Sequence, residues 1–199
     1  GDRIDFTRST DRGATWAAPY TIAPTTTGSG DYDLSGLAYG AGGHLFAAWT
    51  YSADRNVNIG DEVRIRRATN FASGGVAAWE PTRAFPATSF GDAQMSVTAL
   101  EASTADGGVA VLGDRGPTAG VGFSIEGGYL LTSKDSGVNW NRHVPEAFEG
   151  TAVGDLGVNS DGTEWAVVLS DFIDSRDEYL LSKASDPAGP WSAPEPFSD

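Results

Sequence analysis

The chain has 199 residues, a mass of 20.7 kDa and a formal net charge of −14, from 13 basic and 27 acidic residues. That charge repels a nucleic-acid backbone or an anionic membrane, and no apolar run of about 18 residues is present to span a bilayer. With no Cys there is no disulfide framework, thiolate zinc site or Cys nucleophile. The hydrophobic fraction of 40% supports a buried core, and 26 Gly with 6 Trp favour strands and turns over helices.

In chain order, Gly1-Asp2-Arg3 carries no apolar leader and runs straight into Arg3–Thr7, whose alternation reads as a strand. The expectation is a chain cut from a longer one, with an extracellular or secreted location. Leu45–Trp49, Val109–Leu112 and Trp165–Leu169 are short apolar runs, read as inner strands covered on both faces. Val63–Arg66 alternates, and Tyr129–Leu131 and Tyr179–Leu181 precede turns. No segment carries the i, i+3, i+4, i+7 pattern of an amphipathic helix.

Two landmarks recur. Trp16, Trp79, Trp140 and Trp191 each stand just before a Pro, at spacings of 63, 61 and 51. Gly30-Asp31, Gly91-Asp92 and Gly154-Asp155 recur at 61 and 63. Each period holds about four short strands, which is the blade of a β-propeller. The predicted organisation is one all-β propeller region over 1–199. It comprises a half-blade at 1–24 and blades at 25–85, 86–147 and 148–199. The expected whole is a larger ring, with the remaining blades or a second copy of this chain as partner for the open strand edges.

Ser9-Thr-Asp11-Arg-Gly13-Ala-Thr15-Trp16 and Ser133-Lys-Asp135-Ser-Gly137-Val-Asn139-Trp140 share Ser-x-Asp-x-Gly-x-Thr/Asn-Trp. In a tight hairpin the Asp carboxylate accepts backbone N–H groups, Gly supplies a positive φ and the Ser hydroxyl adds a local bond. The Trp ring is expected to pack on a neighbouring sheet. This pattern resembles the Asp-box, or bacterial neuraminidase, repeat of sialidases and related propellers. Asp186-Pro-Ala-Gly189-Pro-Trp191 is a degenerate copy with its Gly shifted by one, and Asn70 to Trp79 is a looser one. The resemblance spans the whole chain and implies a sialidase-like propeller, six-bladed when complete. It also implies that Ser9, Asp11, Gly13, Trp16, Ser133, Asp135, Gly137, Trp140, Asp186 and Trp191 are structural, on the face opposite an active site.

Strand order places chemistry at the other end, in the loops after each second strand and at the blade starts. Those loops supply Tyr51, Asp54 and Arg55, then Asp114 and Arg115, then Asp171 and Arg176; the first blade start adds Tyr32. Arginines can clamp a substrate carboxylate and a carboxyl group can act as a general acid. The catalytic candidates are therefore Arg55, Arg115, Asp114, Asp171 and Arg176, with Tyr51, Asp54 and Tyr32 for substrate binding. The bland alternative is a set of solvated surface ion pairs, each worth under about 1 kcal/mol.

Asp31, Asp92 and Asp155 follow the repeat and read as caps of the blade starts. A structural calcium held by them is the sharper alternative. The resemblance implies an arginine triad, but the sialidase Phe/Tyr-Arg-Ile-Pro motif is absent. Arg3-Ile4 and Arg64-Ile65 lack the Pro. No phosphate loop, nucleophile elbow or zinc helix motif is present. The expected function is a sialidase-like glycoside hydrolase, or part of one, acting on exported glycans. The alternative is a non-catalytic propeller that binds glycan or protein, or serves as a scaffold.

Overall fold

The computed structural model describes residues 2–25, 30–53, 60–69, 71, 78–116, 125–173 and 176–196, with backbone alone at 171–173 and 176–177. Among these residues the regular structure is strand, with short 3-10 turns. Four antiparallel sheets follow one another along the chain. The first pairs β1 (Ile4–Phe6) with β2 (Tyr20–Ala23). The second orders β3 (Asp31–Gly40), β4 (His44–Ser52), β5 (Glu62–Thr69) and β6 (Ala78–Trp79), with β7 (Arg83–Pro86) also on β5. In the third, β8 (Gln94–Met95) and β9 (Ala99–Ala102) share β10 (Val109–Gly116), followed by β11 (Gly127–Ser133) and β12 (Asn141–His143). The fourth orders β13 (Ala152–Val158), β14 (Trp165–Ile173), β15 (Arg176–Ala184) and β16 (Glu195–Pro196).

Strand alternation decides how the sheets stack. On β4, Phe46 and Ala48 face the third sheet, where they share a core with Val109, Val111 and Tyr129. Ala47 and Trp49 point the other way, into a core with Ile4 and Ile22 of the first sheet. On β10, Ala110 and Leu112 face Trp165, Val167 and Leu169 of the fourth sheet. β4 and β10 are thus sandwiched between sheets, which is why their sequences are apolar without a break. β14 differs from the reading of its sequence. Trp165, Val167 and Leu169 are buried, but Ala166 and Val168 are half-exposed, because no sheet among the described residues covers that face.

Gly113 shows how close the packing is. A Cβ there would lie 1.8 Å from the Ser96 carbonyl oxygen and 2.7 Å from Tyr129 Oη. Only a glycine allows that approach.

The recurring Trp residues follow one rule. Trp79 packs edge-on against Phe6 of the first sheet, with ring centroids 5.3 Å apart. Trp140 meets Phe85 of the second sheet at 6.2 Å, and Trp191 meets Phe148, just beyond the third, at 5.3 Å. Each ring therefore docks on the sheet before its own. Trp16 belongs to the first sheet, no earlier sheet is among the described residues, and the side chain is 64% exposed. The expectation that its ring packs on a neighbouring sheet does not hold in this chain.

Candidate functional site

The two intact Ser-x-Asp-x-Gly turns are built alike. Ser9 Oγ donates to Asp11 Oδ1 at 2.7 Å and accepts the N–H of Gly13 at 2.7 Å. Asp11 accepts both the N–H and the hydroxyl of Thr15, at 2.8 and 2.6 Å. In the second turn Ser133 and Gly137 repeat the first pair, and Asp135 takes the N–H and the side-chain amide of Asn139 at 2.8 and 2.7 Å. Gly13 and Gly137 have φ of 89° and 81°. These bonds hold both carboxyls down at about 2; the Thr15 hydroxyl contributes most at Asp11 and the Asn139 N–H at Asp135. Such carboxylates are committed to their turns. The second turn also meets a strand-connecting turn, since Ser136 N–H donates to Gly107 O at 3.0 Å. Both kinds of turn gather at one end of the sheets.

At the opposite end of the second sheet a polar cluster forms. Period-two alternation on β5 puts Glu62, Arg64 and Arg66 on the face toward the first sheet. Arg66 stitches the two sheets, donating to Ile22 O at 2.6 Å. Arg64 lies over the Tyr51 ring, 3.7 Å from its centroid, and donates to Tyr32 Oη at 3.2 Å. Tyr32 in turn donates to Pro24 O at 3.2 Å, and its ring lies 5.6 Å from that of Tyr51. Glu62 Oε1 accepts from two nitrogens of the Arg64 guanidinium. The Arg64 and Glu62 side chains are only 23% and 16% exposed. Two phenol rings, a stacked guanidinium and a carboxylate thus form one half-buried surface, suited to a ring with hydroxyl groups.

The corresponding end of the third sheet carries a denser network. Asp92, only 7% exposed, pairs with Arg142 and lies 3.7 Å from Arg115. Arg115 also meets Glu126 at 3.2 Å and Glu149 at 2.9 Å. Arg142 lies over the Phe90 ring at 5.0 Å. Beside this network Asp114 turns toward the fourth sheet, where its Oδ1 accepts the N–H of Val153 at 2.9 Å. Burial, only partly offset by that bond, raises its pKa to about 6. Tyr129, fully enclosed, donates to Ser96 O at 2.8 Å, and burial with the nearby Asp114 carboxyl pushes its phenol well above its ordinary value.

The structure therefore brings Tyr32 to Tyr51, and Arg115 to Asp92, but in separate sheets. Arg64, Glu62, Glu126, Glu149 and Arg142 join these clusters without having been predicted. The Glu62/Arg64 pairing was legible, since residues two apart on a strand share a face. The rest depends on packing between strand ends. Tyr51, Asp114, Arg115, Asp171 and Arg176, expected in loops, lie instead within β4, β10, β14 and β15, whose hairpin pairing continues past the apolar runs, and Arg142 lies in β12. Asp54 and Arg55 lie outside the described residues. Asp171 and Arg176 are described by backbone alone, opposite Glu178 and Ile173.

The Gly-Asp landmark recurs in sequence but not in space. Asp31 opens β3 opposite Ser52, whereas Asp155 lies within β13 opposite Val168, beside a register shift. Asp31 and Asp155 each accept the N–H of the next residue, Tyr32 at 2.9 Å and Leu156 at 2.8 Å. Asp92 instead neutralises two arginines. Among the described residues no group of three or more His, Asp or Glu side chains is placed to hold a metal ion, and the three aspartates do not converge. Asp155 does approach Glu101 of the neighbouring inner strand, and burial followed by that negative charge raises the Glu101 pKa. No helix among the described residues is long and apolar enough to cross a membrane.

No family model matches the chain, and no curated protein matches it. Among solved structures the fold is similar to the sialidase of Trypanosoma rangeli, solved in complex with sialic acid. The TM-score is 0.58 at 15% identity, over 94% of this chain and 31% of that one. The catalytic domain of a GH62 α-L-arabinofuranosidase from Coprinopsis cinerea aligns over 81% of this chain and 66% of its own, at 14% identity. Its TM-score is 0.25. The chain spans about a third of the length of the sialidase. The likeness establishes a shared sialidase-like β-fold.

Proposed function

We propose that this chain is a section of a sialidase-like propeller, about three and a half Asp-box blades, that belongs to a glycoside hydrolase acting on exported glycans. The observation that carries the reading is the cluster of Tyr32, Tyr51, Arg64 and Glu62 at the end of the second sheet away from the Asp-box turns. Tyr51 and Arg64 offer a flat surface for a sugar ring, and Glu62 offers a carboxylate for its hydroxyls. The fold shared with a sialidase supports the reading.

A second reading, a non-catalytic propeller that binds glycan, is favoured by one specific observation. Arg64, Arg115 and Arg142 are each already paired with a carboxylate. A clamp for a substrate carboxylate needs guanidinium groups whose charge is not already compensated.

Release of a fluorophore from an aryl sialoside and from a panel of other aryl glycosides separates the two. Turnover that is lost in Glu62→Gln and in Arg64→Ala supports the hydrolase. Saturable binding of sialyllactose without turnover, lost in Tyr51→Ala, supports the binding protein. Neither turnover nor binding removes both.

A further inference from the structure

The degenerate third turn differs from the intact ones in a way that exposes chemistry. In the Ser133 turn, Trp140 Nε1 donates to Gly137 O at 3.0 Å. In the Asp186 turn the glycine comes one residue later, and Gly189 N–H closes the turn onto Asp186 O at 2.8 Å. Trp191 keeps its distance from the Asp, but its indole N–H has no hydrogen-bond partner among the described residues. The turn with the shifted glycine brings no carbonyl within bonding distance of this indole, where the Ser133 turn offers Gly137 O.

Two neighbours share this condition. His143 Nε2 and Arg142 Nε are also shielded and unpartnered. All three residues line one groove of about 530 Å³ between β12 and the Asp186 turn, with Glu146 exposed on its rim. Pro190 and Trp191 also line a second groove of about 420 Å³, which holds Glu164, Lys183 and Ser192. Trp191 is thus the divide between two adjoining hollows. Buried polar atoms are normally paired, so three orphans on one groove mark a place where an incoming group would be stabilised.

We propose that this double groove binds a neutral oligosaccharide, with Trp191 as its central platform and one sugar unit in each hollow. An indole ring suits the C–H face of a pyranose, and its N–H and the Arg142 Nε–H suit hydroxyl oxygens after a small side-chain rotation. Glu146 and Glu164 accept hydroxyl protons on either side. Glu164 is paired with Lys183 at 3.7 Å, so it is the Glu146 carboxylate, within a chain of net charge −14, that selects against an acidic sugar. The proposal rests on the glycan reading but concerns a different site from the Arg64 cluster.

The test is titration of the ¹⁵N-labelled chain with lactose, cellobiose and chitobiose, following the indole N–H signals. The Trp191 signal is expected to move saturably with at least one of them, while the Trp140 signal, already bonded to Gly137 O, stays in place. Trp191→Phe, which keeps a ring and loses the N–H, is expected to weaken binding about tenfold. Glu146→Gln and Glu164→Gln, at exposed positions that leave folding unaffected, are each expected to weaken it about threefold to tenfold. Arg64→Ala and Tyr51→Ala should leave this titration unchanged, so failure here is distinguishable from failure at the first cluster. A Trp191 signal that none of these saccharides moves, or a Trp140 signal that moves equally, overturns the proposal.

Discussion

Asp114 Oδ1 accepts the backbone N–H of Val153 at 2.9 Å, and Thr50 Oγ1 does the same for Val97 at 2.8 Å. The two acceptors hold the same place in successive sheets, each near the end of a second strand and facing the next sheet. A single side-chain oxygen thus ties the second sheet to the third and the third to the fourth. In the second sheet the acceptor is a neutral hydroxyl; in the third it is a half-buried carboxyl.

That difference makes the third junction sensitive to pH. Burial raises the Asp114 pKa from the ordinary carboxylate range to about 6, so the fold favours the protonated form. Its contribution is full below pH 4 and is lost as pH rises through 6. Asp114→Asn, which keeps an acceptor without the charge, is expected to be more stable than the wild type by about 2 kcal/mol at pH 7.5. The two should converge near pH 4 in urea melts. A constant difference across that range would place the effect elsewhere. Thr50→Val, by contrast, strands the Val97 N–H and should cost about 1–2 kcal/mol at every pH.

The intact turns give the opposite sign. The Asp135 pKa is lowered to about 2, so its contribution is present above the ordinary carboxylate range and is lost as pH falls through 2. Asp135→Ala should destabilise by about 1–2 kcal/mol at neutral pH through the loss of its local hydrogen bonds. Asp11→Ala should shift the melt less, since its turn carries an exposed Trp16. Thermal melts at pH 7 and pH 2 check both the order and the loss of the difference in acid.

Asp92 is nearly enclosed between Arg142 and Arg115. Arg142→Ala leaves that carboxylate under-compensated and is expected to cost about 2–4 kcal/mol. Asp92→Asn on the same background should recover most of the loss. A double-mutant cycle by chemical denaturation measures this coupling; additivity would mean that the pair is not coupled.

Trp16 and Trp140 occupy the same turn position but differ in packing. Trp140→Ala, which removes a ring packed on Phe85 and an N–H bonded to Gly137, should destabilise by about 2–4 kcal/mol. Trp16→Ala, at an exposed ring, should fall within about 0.5 kcal/mol of the wild type. A similar loss for both would contradict the rule that each Trp docks on the preceding sheet.

Much of the fold is determined locally and was legible for that reason. The Ser-x-Asp-x-Gly turns close through bonds within eight residues, and apolar runs such as Val109–Leu112 can be satisfied only between two sheets. Strand periodicity likewise places Glu62 beside Arg64. What the tertiary structure alone decided lies between sheets. Trp16 carries the same motif as Trp140 and yet is exposed, because its partner would be a sheet and not a neighbour in sequence. Asp155 carries the same Gly-Asp signature as Asp31 and yet lies in the middle of its strand, where Asp31 only opens one, because pairing with β14 sets its register. Arg142 and Asp92, fifty residues apart, meet only when β12 and the loop before β8 are packed on one sheet. Charge pairing over that separation leaves no spacing rule in the chain, since side-chain reach in three dimensions decides it.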